Sequence, residues 1–109
     1  MKASTKAKYE SRAKIIKAMA HPTRLFIVDE LAKNGERCVC ELTDMIGADI
    51  STVSKHLAVL KQAGIISDEK RRNQVFYCLR VPCVMEFFRC VEAVIECEGV
   101  DCKAGCSCK

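Results

Sequence analysis

Nine of the 109 residues are cysteine, and these thiols are the groups most able to do chemistry in the chain. Cys38 and Cys40 stand two apart in mid-chain. Cys78, Cys83, Cys90 and Cys97 follow at longer intervals, and Cys102, Cys106 and Cys108 crowd the end. Thiolates are soft ligands, suited to thiophilic ions rather than to magnesium or calcium. In an exported miniprotein such a density would mean a disulfide framework. The stretch from Met1 to Lys17 lacks the apolar segment of a signal peptide, and an odd number leaves at least one thiol over. The expectation is therefore a cytoplasmic protein with free thiols, available for soft metals or redox chemistry.

Spacing limits which thiols can share an ion. Cys83, Cys90 and Cys97 recur every seven residues and so share one helix face. Seven residues rise about 10.5 Å, too far for one ion to bridge, so Cys83 and Cys90 are expected in a dimer seam or core. Cys97, Cys102, Cys106 and Cys108 lie where the chain can bring them together. In Cys38-Val39-Cys40 an ideal helix would point the two side chains about 200° apart. Two sulfurs on one ion there require a turn or a distorted first helical turn. Cys78 is expected to be structural.

The second chemistry is charge. Eighteen basic residues against 14 acidic ones give a formal charge of +4. Lys2, Lys6, Lys8, Arg12, Lys14 and Lys17 make the front basic, and Lys70, Arg71 and Arg72 form a second cluster. From Glu86 to Asp101 the sign reverses. A basic front and an acidic rear suit a molecule that presents one face to a polyanion. Half the residues are apolar and 29% are charged, the profile of one soluble domain. No run approaches ~18 apolar residues, so no membrane partner is expected.

The elements that must position these groups follow from periodicity. Residues 5–19 read as a helix that His21-Pro22 interrupts, because the residue before proline is pushed out of helical conformation. Pro22 suits the first turn of a second helix, with Leu25, Ile27, Val28 and Leu31 at helical spacing, stopped by Asn34-Gly35. A short helix from about Cys40 to Ile46 ends at Gly47. Ser51 or Asp49 can cap the next, which carries Val53, Leu57, Leu60 and Ala63. Ile65-Ile66 leads to a polar turn from Asp68 to Asn73, then a strand alternates through Val75, Tyr77 and Leu79. Pro82 opens a last helix that ends near Gly99. The predicted fold is mostly α with a β-hairpin wing: a winged helix-turn-helix over residues 1–98, followed by a flexible cysteine-rich tail over 99–109.

Residues 40–63 have helix-turn-helix spacing. The second helix begins with Ser51, Thr52, Ser54, Lys55 and His56, short or basic side chains suited to close approach to a major groove. Its N-terminal amides favour phosphate. Lys70, Arg71, Arg72, Asn73 and Gln74 would reach the adjacent backbone or minor groove as a wing. Of the two histidines, His21 reads as a helix-start residue, and a structural role for His56 competes with base contact.

Three runs carry a resemblance. Ala20-His21-Pro22-Thr23-Arg24-Leu25, Cys38-Val39-Cys40-Glu41-Leu42, and Ser51 to Leu60 followed by Ala63-Gly64 resemble the ArsR/SmtB family of metal-sensing winged-helix repressors over about residues 12–95. The resemblance implies a homodimer built on the first and last helices, a twofold operator in double-stranded DNA, and release of that DNA on metal binding. Cys38-Val39-Cys40 resembles the arsenic version, whose cysteines bind arsenic(III) or antimony(III). A third cysteine of that version falls on Thr43 here, and residues 1–37 hold none of the N-terminal cysteines of the cadmium and lead sensors. A third sulfur would come from the tail, in the same chain or from the partner. The family's zinc site on the last helix is lacking, since no histidine follows His56.

The expected function is a metalloid-responsive transcriptional repressor, with cadmium or lead as further thiophilic effectors. A thiol redox sensor of the same fold and a cytosolic metal-buffering protein are the alternatives. No phosphate-binding glycine loop and no CxxC pair point to an enzyme.

Overall fold

The fold was obtained as a computed structural model that describes residues 1–97. The tail expected over 99–109, with Cys102, Cys106 and Cys108, lies outside the described residues. The elements run α1 (Ala3–Met19), α2 (Pro22–Asn34), β1 (Arg37–Cys38), α3 (Val39–Ile46), α4 (Ile50–Gln62), β2 (Ile66–Arg71), β3 (Gln74–Leu79) and α5 (Val84–Glu96). They form a winged helix-turn-helix, helical with one small antiparallel sheet in the order β1-β3-β2.

The core is where the apolar periodicities meet. Ile27, Val28 and Leu31 of α2, Leu42 of α3, and Val53, Leu57 and Leu60 of α4 are buried together with Ile65 and Ile66. Each such side chain contributes about 1.5–3 kcal/mol by leaving water. This cluster fixes the angle between α3 and α4. Gly47, at φ 77°, closes α3 in the left-handed conformation and donates to Thr43 O at 2.9 Å. A Cβ is disfavoured there, so glycine sets the turn of the helix pair.

Three details differ from the sequence expectation. Arg37–Cys38 is a strand, pairing Arg37 with Tyr77 and Cys38 with Phe76. Two residues carry no readable alternation, and only their distant partner defines them. Lys70 and Arg71 belong to β2 rather than to a turn, with Arg71 opposite Gln74. The turn is thus Arg72-Asn73 alone, and Arg72 takes a φ of 57°. The last helix begins at Val84, two residues after Pro82, with Cys83 at its N-cap.

Cys83 and Cys90 are exposed in the single chain. So are Phe87, Val91, Val94 and Ile95 on α5, Leu25 and Phe26 on α2, and Ile15 and Ile16 on α1. Ile16, Leu25, Phe26, Phe87 and Val91 help to line a groove of about 650 Å³. A contiguous apolar face of this kind marks an interaction surface. Among the described residues no helix is long and apolar enough to cross a membrane.

Candidate nucleic-acid interface and thiol site

Helix α4 forms here because Val53, Leu57 and Leu60 bury one face while its first turn is closed by Asp49, not Ser51. Thr52 donates to Asp49 twice, from Oγ1 to Oδ1 at 2.7 Å and from its backbone N–H to Oδ2 at 3.4 Å. The Ser51 hydroxyl donates to the same carboxylate. These bonds, that of Ser51 first, hold the Asp49 carboxyl down at about 2. The start of α4 is therefore not an open anion seat. An anionic cap already occupies it, so Ser51 and Thr52 offer hydroxyl oxygens rather than free donors. Ser54 and Lys55 are exposed and unencumbered one turn further on.

His56 is half-buried, and its ring lies against His21 with centroids 4.4 Å apart. His21 is the N-cap of α2, its Nδ1 accepting from Thr23 N–H at 3.1 Å. Burial, then the neighbouring His21 and Arg24, push His56 below its ordinary value. A neutral, packed imidazole anchors α4 to the start of α2. That placement favours the structural role of His56.

The wing residues Lys70, Arg71, Arg72, Asn73 and Gln74 are all exposed. They are not equivalent. Arg71 is gripped by Glu36 at 2.5 and 3.0 Å and by Glu69 at 2.6 Å, and its guanidinium lies 5.0 Å over the Phe76 ring. Its charge is largely committed to fastening the wing to the segment before β1. Glu36 and Arg71 are 35 residues apart, and no local signal announces that contact. Lys70 and Arg72 make no such pairs.

The two mid-chain thiols are held differently. Cys38 is buried, at 5% exposure, at the junction of β1 and α3, while Cys40 is exposed one residue into the helix. Glu41 Oε1 accepts the Cys38 N–H at 3.0 Å, and its other oxygen accepts from Arg37 at 3.1 Å. The Cys38 N–H first, then the Cys38 thiol and Arg37, keep the Glu41 carboxyl below its usual range. As donors the thiols fit a thiophilic ion. The turn supplies at most two of them, and the described residues contain no group of three or more potential ligands. Cys97 caps the C-terminal end of α5. Cys78 is exposed on β3, 3.1 Å from the Ser67 hydroxyl.

A two-helix reader set between an apolar face and a basic hairpin defines a winged helix-turn-helix DNA-binding regulator. The model of the bacterial regulatory protein arsR family matches residues 21–68. The HTH-type transcriptional regulator MJ1325 of Methanocaldococcus jannaschii is 41% identical over 85 residues, covering 78% of this chain and 96% of that one. The arsenic resistance transcriptional regulator ArsR1 of Pseudomonas putida is 38% identical over 65 residues, 60% of this chain and 51% of its own length. The chain thus spans nearly all of one relative and about half of the other. Among solved structures, the homodimeric winged helix-turn-helix domain Mb0332 of Mycobacterium bovis superposes with a TM-score of 0.75 at 28% identity, covering 90% of each chain. The chain belongs to the ArsR/SmtB family and is a transcriptional regulator rather than an enzyme.

Proposed function

We propose that the protein is a cytoplasmic, homodimeric repressor that binds a twofold operator in double-stranded DNA and leaves it when cysteine thiolates take up arsenic(III) or antimony(III). Ser51, Thr52, Ser54 and Lys55 of each copy face the major groove, and Lys70, Arg72, Asn73 and Gln74 follow the adjacent backbone. Half-sites about 34 Å apart suit such a symmetric pair. Dimerisation through α1 and α5 accounts for their exposed apolar side chains, and Mb0332 offers a homodimeric precedent.

The placement of Cys38 carries the effector half of this reading. One residue is at once the strand partner of Phe76 beneath the wing and the N-cap of the first reader helix. Cys38 is buried outside the first turn of α3 and Cys40 is exposed inside it, so on this reading the two sulfurs meet on one ion by a rearrangement of that turn. That rearrangement would act on the Glu41 cap and the β1–β3 pair, the two contacts that Cys38 makes next to the reader helices. Further sulfur would come from the tail, from Cys102, Cys106 or Cys108. ArsR1, an arsenic resistance regulator by name, supports the choice of effector.

The test is fluorescence anisotropy of the reduced protein on its own upstream DNA, titrated anaerobically with arsenite, antimonite, cadmium and lead. Release by stoichiometric arsenite or antimonite is expected. Release by cadmium or lead alone would transfer the site to those ions, and release only by oxidants would make the protein a redox sensor. Tight metal binding without preference for the upstream DNA would favour a buffering role.

A further inference from the structure

We infer that the basic stripe along α1 is a second DNA-contacting surface, laid on backbone phosphates outside the groove that α4 reads; this rests on the DNA-binding reading above. Residues 1–17 carry six bases against the single acid Glu10, a balance of +5 in a chain whose total is +4. The remaining 92 residues, reader and wing included, therefore sum to −1. Part of their positive charge is also spent internally: Arg71 on Glu36 and Glu69, Lys61 on Asp68, Arg37 on Glu30 and Glu41. No base of α1 makes a salt bridge within the described residues. Affinity for DNA is dominated by phosphate neutralisation, and α1 with its N-cap adds six bases without a salt bridge to Lys55, Lys70 and Arg72 of the reader and wing.

The geometry gives that charge a direction. At about 100° per residue, Lys2, Lys6, Lys14 and Lys17 fall within an arc of roughly 120°. Glu10 lies within the same arc; Ile15 and Met19 lie opposite it together with Lys8 and Arg12, and Ile16 and Tyr9 flank it beside Lys2. All residues from Met1 to Lys17 are exposed, and only Ala18 and Met19 of the helix are buried. The helix thus projects about 22 Å from its root. That root sits beside the reader: Arg24 of α2 donates from Nη1 to Ala18 O at 2.9 Å, and His21 lies against His56 of α4 with the rings tilted. A span of 22 Å covers more than half of a ~34 Å turn of B-DNA. A second copy of the chain, with its acidic α5, is the competing occupant. Ile16 and Met19 open onto the same apolar groove as Phe26 and Phe87, however, on the side of α1 turned away from Lys14 and Lys17, so a second copy seated in that groove leaves those lysines free.

The experiment compares wild type, K2Q/K6Q/K14Q/K17Q and K8Q/R12Q on upstream and scrambled duplexes across a salt series, with sedimentation to follow the dimer. Glutamine preserves helix propensity, and circular dichroism checks it. The expected result for the quadruple variant is a salt slope shallower by about 1 per lysine that meets a phosphate, with dimer and sequence preference unchanged. Low-salt affinity should fall at least about tenfold, as several phosphate contacts are lost together. An unchanged slope overturns the proposal. So does dissociation of the dimer, which gives the stripe to the second copy, or an equal effect per charge from K8Q/R12Q, which reduces it to a general field. A wild type that binds both duplexes equally or neither overturns the DNA-reading function itself, and the stripe with it.

Discussion

At the start of α4 the carboxylate of Asp49, outside the helix, takes the Thr52 N–H and the Ser51 and Thr52 hydroxyls. At the start of α3 the capping carboxylate, Glu41, sits inside the helix and reaches back to the N–H of Cys38. The first closure involves no thiol and depends on nothing beyond its own turn. The second is tied to Cys38, to the Arg37 ion pairs and to a strand pair under Phe76. The reader helix, closed by its own side chains, thus follows a turn whose N-cap is a buried thiol residue tied to the sheet. Under the proposed function the difference suits a switch, because the α3 turn can change while the Asp49 cap of the reader stays closed.

The largest effect is expected from the thiols. C38S and C40S should each abolish release by the effector while leaving affinity for the upstream DNA within a few-fold of wild type. Only C38S should also lower the unfolding free energy, by about 1–3 kcal/mol, because a hydroxyl replaces a buried thiol there. Cys40 is exposed and should cost nothing. Denaturant melts beside effector titrations check both halves. A C40S protein that still responds would remove the α3 turn from the sensing site.

Lys55→Ala sharpens the other side of the comparison. Lys55 is exposed one turn beyond the Asp49 cap and makes no ion pair. Its loss should weaken binding about tenfold, the scale of one base or phosphate contact. The release concentration of the effector should not change. A coupled change in release would mean that reader and thiol turn are not separate.

The two starts were also unequally legible. The α4 signals are local: Asp49 three residues before Thr52, apolar residues at 53, 57 and 60, and Gly64 after the end. Periodicity and capping chemistry recover them, although Ser51 and Asp49 are both cap candidates by sequence and only the fold selects Asp49. Cys38-Val39-Cys40 is equally visible as residues, but its arrangement depends on Phe76, 38 positions away. A two-residue strand has no period, so the split into one buried and one exposed thiol was unreadable. The wing illustrates the same division. Its basic residues are plain in sequence, while the Glu36–Arg71 grip that immobilises one of them is a long-range contact.

A smaller effect tests the independence of the α4 cap. Asp49→Ala should lower Tm by a few degrees and weaken DNA binding by fraying the first turn of the reader. Because the Asp49 carboxyl is held at about 2, below the ordinary 3.8, its contribution is complete above pH ~3.8 and fades as pH falls toward 2. Glu41, also lowered, fades in the same direction below its ordinary 4.5. An acid titration of stability should therefore be shallower for D49A than for wild type. Equal acid limbs in the two proteins would show that the cap contributes nothing in solution.

The smallest effect concerns the wing, where one residue separates stability from binding. Arg72 holds a φ of 57°, the left-handed region that an L side chain enters at a cost of roughly 1–2 kcal/mol. Arg72→Gly removes that strain but loosens the unfolded chain, which takes back about 0.4–1 kcal/mol. The net expectation is a gain of about 0–1.6 kcal/mol in stability. Binding should move the other way: the exposed Arg72 guanidinium makes no internal pair, so its loss should flatten the salt dependence by about 1. Neutralising Arg71 should flatten it less, because Glu36 and Glu69 already hold that charge. Parallel salt series on R72G and R71Q check the order. If R71Q has the larger effect, Arg71 gives up its acidic partners to reach DNA, and the grip of Glu36 belongs to the unbound protein alone.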